Sequence, residues 1–279
     1  MRKLTLLFLV LLLGFNSKLE PKQKKINVLF IGNSFTYHHG IPNILQKMLD
    51  ENQSNFNIEQ SCYPGMSLSD HLNMMVSKRE GDDIETRMKE KGEITETEKK
   101  LISKKWDFII LQEHPSYYYF PEAITKITTP TIQKIKQLVN NSNCKYINFD
   151  IWSAGKKYPF ERSCISINNL DWTSDSTDTI CSTKIDNLEE EIKRLNQSAK
   201  LITVKNNLIQ SNHCDLHYKV MKRLPQIVLN ENDHHPSEAG SFLNACQFYK
   251  LLTNKKASKL NYCGNLSAKE AKLLKEITN

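Results

Sequence analysis

The sequence lacks the signatures of several large classes of protein. Its 279 residues include seven cysteines, but no two of these are separated by two residues, which argues against zinc-ribbon and thioredoxin-type sites. No repeat or low-complexity stretch is present, which argues against solenoid and disordered architectures. The formal net charge is +7, yet the lysines are scattered and form no basic stripe with aromatic residues. Nucleic-acid binding is therefore not expected.

Long apolar runs are also absent, apart from one at the start of the chain. Residues 4–15 are almost entirely apolar and follow Arg2 and Lys3. Such a run is too short to span a bilayer comfortably and is typical of a secretory signal. It contains no cysteine for a lipid anchor. We predict a signal peptide over residues 1–20, a secreted or periplasmic mature protein without a membrane span, and, as the alternative, an uncleaved anchor.

The remainder of the chain predicts one α/β domain over residues 26–279. Short apolar runs that suit strands alternate with stretches of helical periodicity, which is typical of a three-layer α/β/α sandwich with a mostly parallel, five-stranded sheet. Predicted strands cover residues 26–31, 57–62, 106–111, 146–152 and 201–204. Predicted helices cover residues 42–52, 68–76, 131–139, 185–198 and 237–252.

Two segments interrupt this alternation. Residues 77–105 are dense in charge and are interpreted as a helical insertion, either a solvated helix pair or a lid. Residues 159–183 are polar and are interpreted as a surface insertion. Cys164 and Cys181 flank its polar stretch and are the best candidates for a disulfide in an oxidising compartment.

A serine follows the first predicted strand directly, in the pentapeptide Gly32-Asn33-Ser34-Phe35-Thr36. At the start of a helix, its hydroxyl can be exposed at the rim of the sheet beside free N–H groups. A serine becomes a nucleophile only when a base takes its proton. The alternative is that Ser34 or Thr36 simply caps the helix.

A candidate base lies before the last long helix, in Asn232-Asp233-His234-His235-Pro236-Ser237. A histidine beside an acidic residue can act as a general base while the acid holds its tautomer. A polar capping turn is one alternative. A metal site of Asp233, His234 and His235 is another, although adjacent histidines usually point in different directions.

Together the two motifs resemble the SGNH (GDSL-like) hydrolase superfamily, in particular its Gly-Asn-Ser-Phe-Thr subgroup. The resemblance extends from Val28 to about Leu252 and implies a flavodoxin-like SGNH fold. It implies Ser34 as nucleophile and His235 as base, since Pro236 follows His235 as the family pattern requires.

The resemblance also implies an oxyanion hole. Its donors would be the main-chain N–H groups of Ser34 and Gly65 and the side-chain amide of Gln112, which replaces the asparagine of the wider family. Asn33, His114 and His38 are predicted to contact the substrate. His71 is predicted to lie on a helix surface.

The acidic residue departs from the family pattern, which has aspartate three residues before the histidine. That position is Asn232 here, and Asp233 is one residue nearer. Asp233 could orient His235, Asn232 could hold the ring in a Ser–His dyad, or His234 could be the base with Glu231 as its partner.

The expected function is a secreted serine esterase that needs no metal or cofactor and acts on a small-molecule or carbohydrate ester, with a carbohydrate O-acetyl ester as the preferred candidate. The first alternative is a weak or inactive carbohydrate-binding relative. The second is a metal-dependent hydrolase. The loosely spaced group of His213, Cys214, Asp215 and His217 is a less favoured metal site.

Overall fold

The computed structural model describes residues 25–153, 155, 157–167, 178–231 and 234–279. The predicted signal peptide at residues 1–20 therefore lies outside the described residues. In the described part of the chain, no helix is both long and apolar enough to cross a membrane.

The described residues form nine strands and ten α-helices. The strands are β1 Ile26–Gly32, β2 Phe56–Cys62, β3 Met74–Glu80, β4 Asp83–Met88, β5 Phe108–Leu111, β6 Lys145–Asn148, β7 Ile165–Ile167, β8 Asp178–Ile180 and β9 Ile209–Gln210. The helices are α1 Ser34–Tyr37, α2 Ile41–Glu51, α3 Leu68–Asn73, α4 Glu96–Ser103, α5 Pro121–Ala123, α6 Thr129–Leu138, α7 Leu188–Asn206, α8 His213–Arg223, α9 Glu238–Thr253 and α10 Ala268–Ile277.

The central sheet has five strands in the order β2-β1-β5-β6-β9, and every pairing in it is parallel. Strand β1 lies inside the sheet, and Val28 to Ile31 are fully buried on both faces. Burial on both faces explains why β1 has a continuous apolar sequence and not an alternating one.

Helices cover both faces of the sheet and create two apolar cores. One core packs α2, α8, α9 and α10 against the sheet face that carries Val28 and Phe30. The other packs α3, α4, α6 and α7 against the face that carries Leu29 and Ile31. The predicted three-layer α/β/α architecture with a five-stranded sheet is confirmed, and all five strands are parallel.

One of the predicted strands is wrong. Residues 201–204 do not form the last strand, because they continue α7, and the last strand is the two-residue β9. Within this stretch Ile202 belongs to the helical stripe that also buries Leu195 and Ala199, whereas Val204 is 68% exposed. A four-residue apolar run cannot by itself distinguish a buried strand from the end of a helix.

The segment 77–105 is not a pair of helices. It contains most of an antiparallel hairpin, β3-β4, which turns at Gly81 with φ +61, and then a single helix, α4. Residues 74–76, predicted as the end of a helix, begin this hairpin. Pairing between these two adjacent strands outweighed the charged, helix-like composition of the segment.

The polar insertion carries a small antiparallel strand pair, β7-β8. A disulfide joins Cys164 to Cys181 across it, with the Cα atoms 4.0 Å apart, so the predicted pairing is confirmed. Ser182 Oγ accepts a hydrogen bond from the Arg162 N–H and donates one to the Arg162 carbonyl. These contacts tie the two limbs of the insertion together beside Arg162.

Candidate active site

The two motifs at opposite ends of the chain meet at the carboxyl end of β1. Ser34 lies two residues beyond β1, and His235 lies three residues before α9. The distance between Ser34 Oγ and His235 Nε2 is 2.7 Å, within hydrogen-bonding range. This is the nucleophile–base geometry that activation of a serine requires.

The turn that carries Ser34 is held from several directions. Asn33 caps α1 by accepting a hydrogen bond from the Phe35 N–H at 3.1 Å, and its side-chain amide donates to the Met66 carbonyl at 3.0 Å. Asn33 therefore ties the nucleophile turn to the loop after β2. Its side-chain polar atoms are engaged in this structural role, and Asn33 also lines the cavity beside Ser34.

Gln112 supports the same turn from β5. Its Oε1 accepts hydrogen bonds from the Asn33 N–H at 2.9 Å and from Thr36 Oγ1 at 3.1 Å. Gly32 allows this close approach, because a Cβ there would lie 2.7 Å from Gln112 Oε1 and 2.6 Å from Thr36 Oγ1. The side-chain Nε2 of Gln112 donates to the Glu113 carbonyl.

These contacts correct the predicted role of Gln112. The residue is only 1% exposed, and its side chain is absent from the lining of the cavity beside Ser34. The amide oxygen is needed by the buried Asn33 N–H, which has to be paired, and this turns the amide toward the nucleophile turn. Gln112 is a positioning residue in this structure and not an oxyanion donor.

His71 also supports the turn that carries Ser34. It is buried, and not on the helix surface as predicted. Its Nε2 donates to the Gly32 carbonyl at 2.8 Å, and its Nδ1 pairs with Thr97 Oγ1 at 2.7 Å. Burial lowers the pKa of His71 to about 4, so the ring is neutral at physiological pH. The helical apolar pattern around His71 was the available sequence signal for its burial.

Gly65 lines the same cavity as Ser34 and lies in the turn after β2. Its φ is +65, and the Met66 N–H closes this turn by donating to the Tyr63 carbonyl at 3.3 Å. Glycine adopts this backbone conformation without strain, whereas other residues rarely do. Among the described residues, none accepts a hydrogen bond from the main-chain N–H of Ser34 or Gly65. Both residues also line the cavity, so their N–H groups are candidate donors to a ligand bound there.

Glu113 joins the elements around the cavity. Its carboxylate accepts hydrogen bonds from the Leu68 N–H at 3.1 Å, the His114 N–H at 2.7 Å and Thr128 Oγ1 at 2.7 Å. Complete burial raises the pKa of Glu113 to about 7, although the three donors oppose this rise. Glu113 fixes the start of α3 and the backbone of His114.

Backbone hydrogen bonds between Glu231, His234 and His235 hold the segment that carries the candidate base. The Glu231 N–H donates to the His235 carbonyl at 2.8 Å, and the His234 N–H donates to the Glu231 carbonyl at 3.1 Å. Ser237 caps α9 by accepting from the Gly240 N–H at 3.1 Å. This turn directs His235, not His234, at Ser34.

Two of the three candidate partners of the base, Asn232 and Asp233, lie outside the described residues. The third, Glu231, contacts two other histidines. Its carboxylate oxygens lie 3.0 Å from His38 Nε2 and 2.6 Å from His39 Nε2. The predicted alternative that pairs His234 with Glu231 is therefore not favoured by the geometry.

Two rings pack against the candidate base. The His38 ring stacks on the His235 ring with centroids 4.7 Å apart, and Phe35 contacts it at 5.4 Å. His38 was predicted to bind substrate, but its side chain lies against His235 and Glu231, and it is absent from the cavity lining. Its position suits orientation of the base better than contact with a substrate.

A cavity of about 180 Å³ opens beside Ser34. Tyr119 and Trp152 supply aromatic walls, and His114 lines it as predicted. Burial lowers the pKa of His114, which favours the neutral ring. The remaining lining residues are Asn33, Ser34, Phe35, Gly65, Pro115, Ser116, Ile151, Arg162 and His234.

Arg162 is the lining residue that the sequence gave no reason to single out. It comes from the polar insertion, and its guanidinium carbon lies 4.5 Å from the centre of the Tyr119 ring. Because its Nε is buried and has no hydrogen-bond partner among the described residues, Arg162 retains donor capacity. The neighbouring disulfide was the only sequence signal that this segment is fixed in place.

The less favoured metal group does not converge on one point. His213 is buried between Ser211 Oγ at 2.7 Å and the Asn244 carbonyl at 3.2 Å. His217 contacts Asn244 Oδ1 at 2.8 Å and stacks on Trp152. Both histidines are built into the core between α8 and α9.

Comparison with known proteins supports the fold. No protein-family model and no curated protein matches the chain. A crystal structure of a DUF4886 family protein from Bacteroides uniformis superposes with a TM-score of 0.68 at 14% identity, covering 91% of this chain and 93% of that one. A candidate SGNH hydrolase from Slackia heliotrinireducens gives a TM-score of 0.50 at 15% identity, covering 82% and 100%.

The protein has the SGNH hydrolase fold. A variant of Axe2, an acetyl xylan esterase from Geobacillus stearothermophilus, also superposes, with a TM-score of 0.50 at 14% identity, covering 82% of this chain and 94% of that one. At these identities the similarity establishes the fold, so the chemistry has to be argued from the site.

Proposed function

We propose that the protein is a serine esterase that works through an acyl-enzyme. The observation that carries this proposal is the distance of 2.7 Å between Ser34 Oγ and His235 Nε2, beside a cavity large enough for a small substrate. Few structural roles require a serine hydroxyl and an imidazole to meet at the rim of a sheet from 201 residues apart in sequence.

The mechanism begins when His235 Nε2 takes the proton of Ser34 Oγ. The oxygen attacks the ester carbonyl, and the resulting oxyanion is stabilised by the N–H groups of Ser34 and Gly65. His235 then gives the proton to the leaving alcohol. Water, activated by the same imidazole, attacks the acyl-enzyme and releases the acid.

The size of the cavity favours a short acyl group. At about 180 Å³ it is smaller than the roughly 300–1,000 Å³ of typical small-molecule sites. We infer that the acyl group is acetyl or of similar size. The rings of Tyr119 and Trp152 and the donors of Arg162 suit a sugar as the alcohol portion, which agrees with export as the predicted localisation.

The decisive experiment compares hydrolysis of p-nitrophenyl acetate by the wild type, Ser34→Ala, His235→Ala and the control Ser103→Ala, which removes an exposed serine on α4. Loss of a serine nucleophile can reduce kcat by about 10⁶-fold, which would reach background here. We expect both site variants to reach background and the control to remain active. Equal rates for the wild type and Ser34→Ala would refute the proposal.

Substrate choice is tested by varying the acyl chain and the alcohol. We expect kcat/KM to fall by at least about 10-fold from acetyl to octanoyl esters, because the longer chain would have to be forced into a cavity of about 180 Å³, and such overpacking typically costs about 1–3 kcal/mol. Acetylated xylo-oligosaccharides test the sugar. If they bind without being hydrolysed, the protein is the non-catalytic carbohydrate-binding relative.

A further inference from the structure

Three metal-ligating side chains converge on the solvent side of the Ser–His pair. His38 Nε2 and His39 Nε2 each lie against one carboxylate oxygen of Glu231, at 3.0 and 2.6 Å. One ligand atom from each of the three residues lies within 4.8 Å of the others. No residue of this cluster, His38–His39–Glu231, exchanges a proton or forms a bond with the substrate in the proposed acyl transfer, although His38 packs against the base.

The convergence of two adjacent histidines is unusual, because neighbouring side chains ordinarily point apart. Here His39 adopts the left-handed backbone conformation, with φ +49 and ψ 17. The two rings consequently lie 4.7 Å apart and nearly perpendicular, and both present Nε2 to the same carboxylate. The left-handed conformation of His39, which L-residues usually avoid, thus accompanies the orientation of both imidazoles toward one carboxylate.

The framework under the cluster is firm, whereas its ligand atoms remain accessible. Ser241 Oγ on α9 donates to the His38 carbonyl at 3.0 Å, and the Glu231 N–H donates to the His235 carbonyl. The side chains of His38, His39 and Glu231 are 26%, 29% and 40% exposed. An ion can therefore reach the site without opening the fold.

We propose that this cluster binds a divalent transition-metal ion of the zinc class. Two imidazole nitrogens and one carboxylate are a ligand set that zinc uses, with water in the fourth position. Magnesium and calcium prefer oxygen ligands throughout and are disfavoured.

A metal ion bound at this cluster would affect the Ser34–His235 pair through His38. The His38 ring stacks on the His235 ring with an interplanar angle of 18°. A dication held on His38 opposes the positive charge that His235 acquires in the transition state. Zinc therefore acts as an inhibitor of the proposed esterase, and this consequence rests on that proposed function.

The test is calorimetric titration of tag-free, chelator-treated protein with zinc chloride. The variants are His39→Gln and Glu231→Gln, and the matched control is Glu93→Gln, another surface carboxylate in an ion pair. We expect one zinc per chain in the wild type and control, and binding at least about 10-fold weaker in both site variants. Magnesium chloride should not compete.

Unchanged zinc affinity in His39→Gln would overturn the site and would point instead to the partly buried thiols of Cys144 and Cys263. The Ser34→Ala protein should bind zinc as the wild type does, so the metal site can fail or succeed independently of the esterase. Zinc should lower kcat/KM of the wild type but not of His39→Gln. Equal inhibition of both would overturn the coupling to His235.

Discussion

The two halves of the Ser–His pair are supported in opposite ways. The serine side is held by buried contacts: Gln112 and His71 are each 1% exposed, and both bond to the turn. The histidine side is held by a tight turn near the surface and by a cluster in which Glu231 is 40% exposed. The comparison indicates that the nucleophile depends on the stability of the whole fold, whereas the base can respond to solvent conditions and ions.

Lowering the pH should have the largest effect of all, because it destabilises the fold on which the buried serine side depends. Burial lowers the pKa to about 4 for His71, about 3 for His213 and about 4 for His217, below the roughly 6.5 of an unfolded histidine. The unfolded state then binds more protons, so stability falls as pH drops from about 6.5 toward 4. The pKa of Glu113 is raised to about 7, so this carboxyl group binds its proton more strongly in the folded state. It therefore offsets the effect of about one of the three histidines.

The expected net slope near pH 5 is therefore up to about 3 kcal/mol per pH unit, corresponding to about two protons. Urea unfolding at pH 7, 6 and 5 measures it. His71→Gln retains an amide donor for the Gly32 carbonyl and should reduce the slope by up to about 1.4 kcal/mol per pH unit. A slope unaffected by this substitution would show that His71 is not held neutral beneath the nucleophile.

Gln112→Met should have the next largest effect. It leaves the buried Asn33 N–H without an acceptor, so we expect the free energy of unfolding to fall by about 1–3 kcal/mol, together with a loss of kcat/KM. Thr36→Val is the matched control, because it removes only the second donor to Gln112 and should cost less. A kcat lowered by about 10²–10³ at unchanged stability would instead restore the oxyanion role.

Ser237→Ala should have the smallest effect of the three. It removes the cap of α9 on the histidine side, and loss of such a cap costs about 1 kcal/mol. We expect kcat/KM to change less than in Gln112→Met, because the Glu231–His235 turn is closed by its own backbone hydrogen bonds. A larger loss of activity than in Gln112→Met would reverse the comparison. Thermal unfolding and initial rates on the same samples measure both quantities.

Local sequence patterns were sufficient to predict the fold class and several of its elements. The buried strand β1, the cap at Ser237 and the alternation of strands and helices are recorded in short stretches of sequence, because period and capping are local properties. The disulfide between Cys164 and Cys181 also followed from the residues flanking one polar segment. The resemblance to SGNH hydrolases added the expectation that Ser34 and His235 meet.

Other features were decided only by tertiary structure. Residues 201–204 became part of α7 because Ile202 packs into the core, and a charged segment became the β3-β4 hairpin because its two strands pair with each other, which the composition does not indicate. Likewise Gln112 faces the nucleophile turn because the buried Asn33 N–H requires an acceptor there. Such pairings depend on which groups are buried opposite each other, and no local pattern records that.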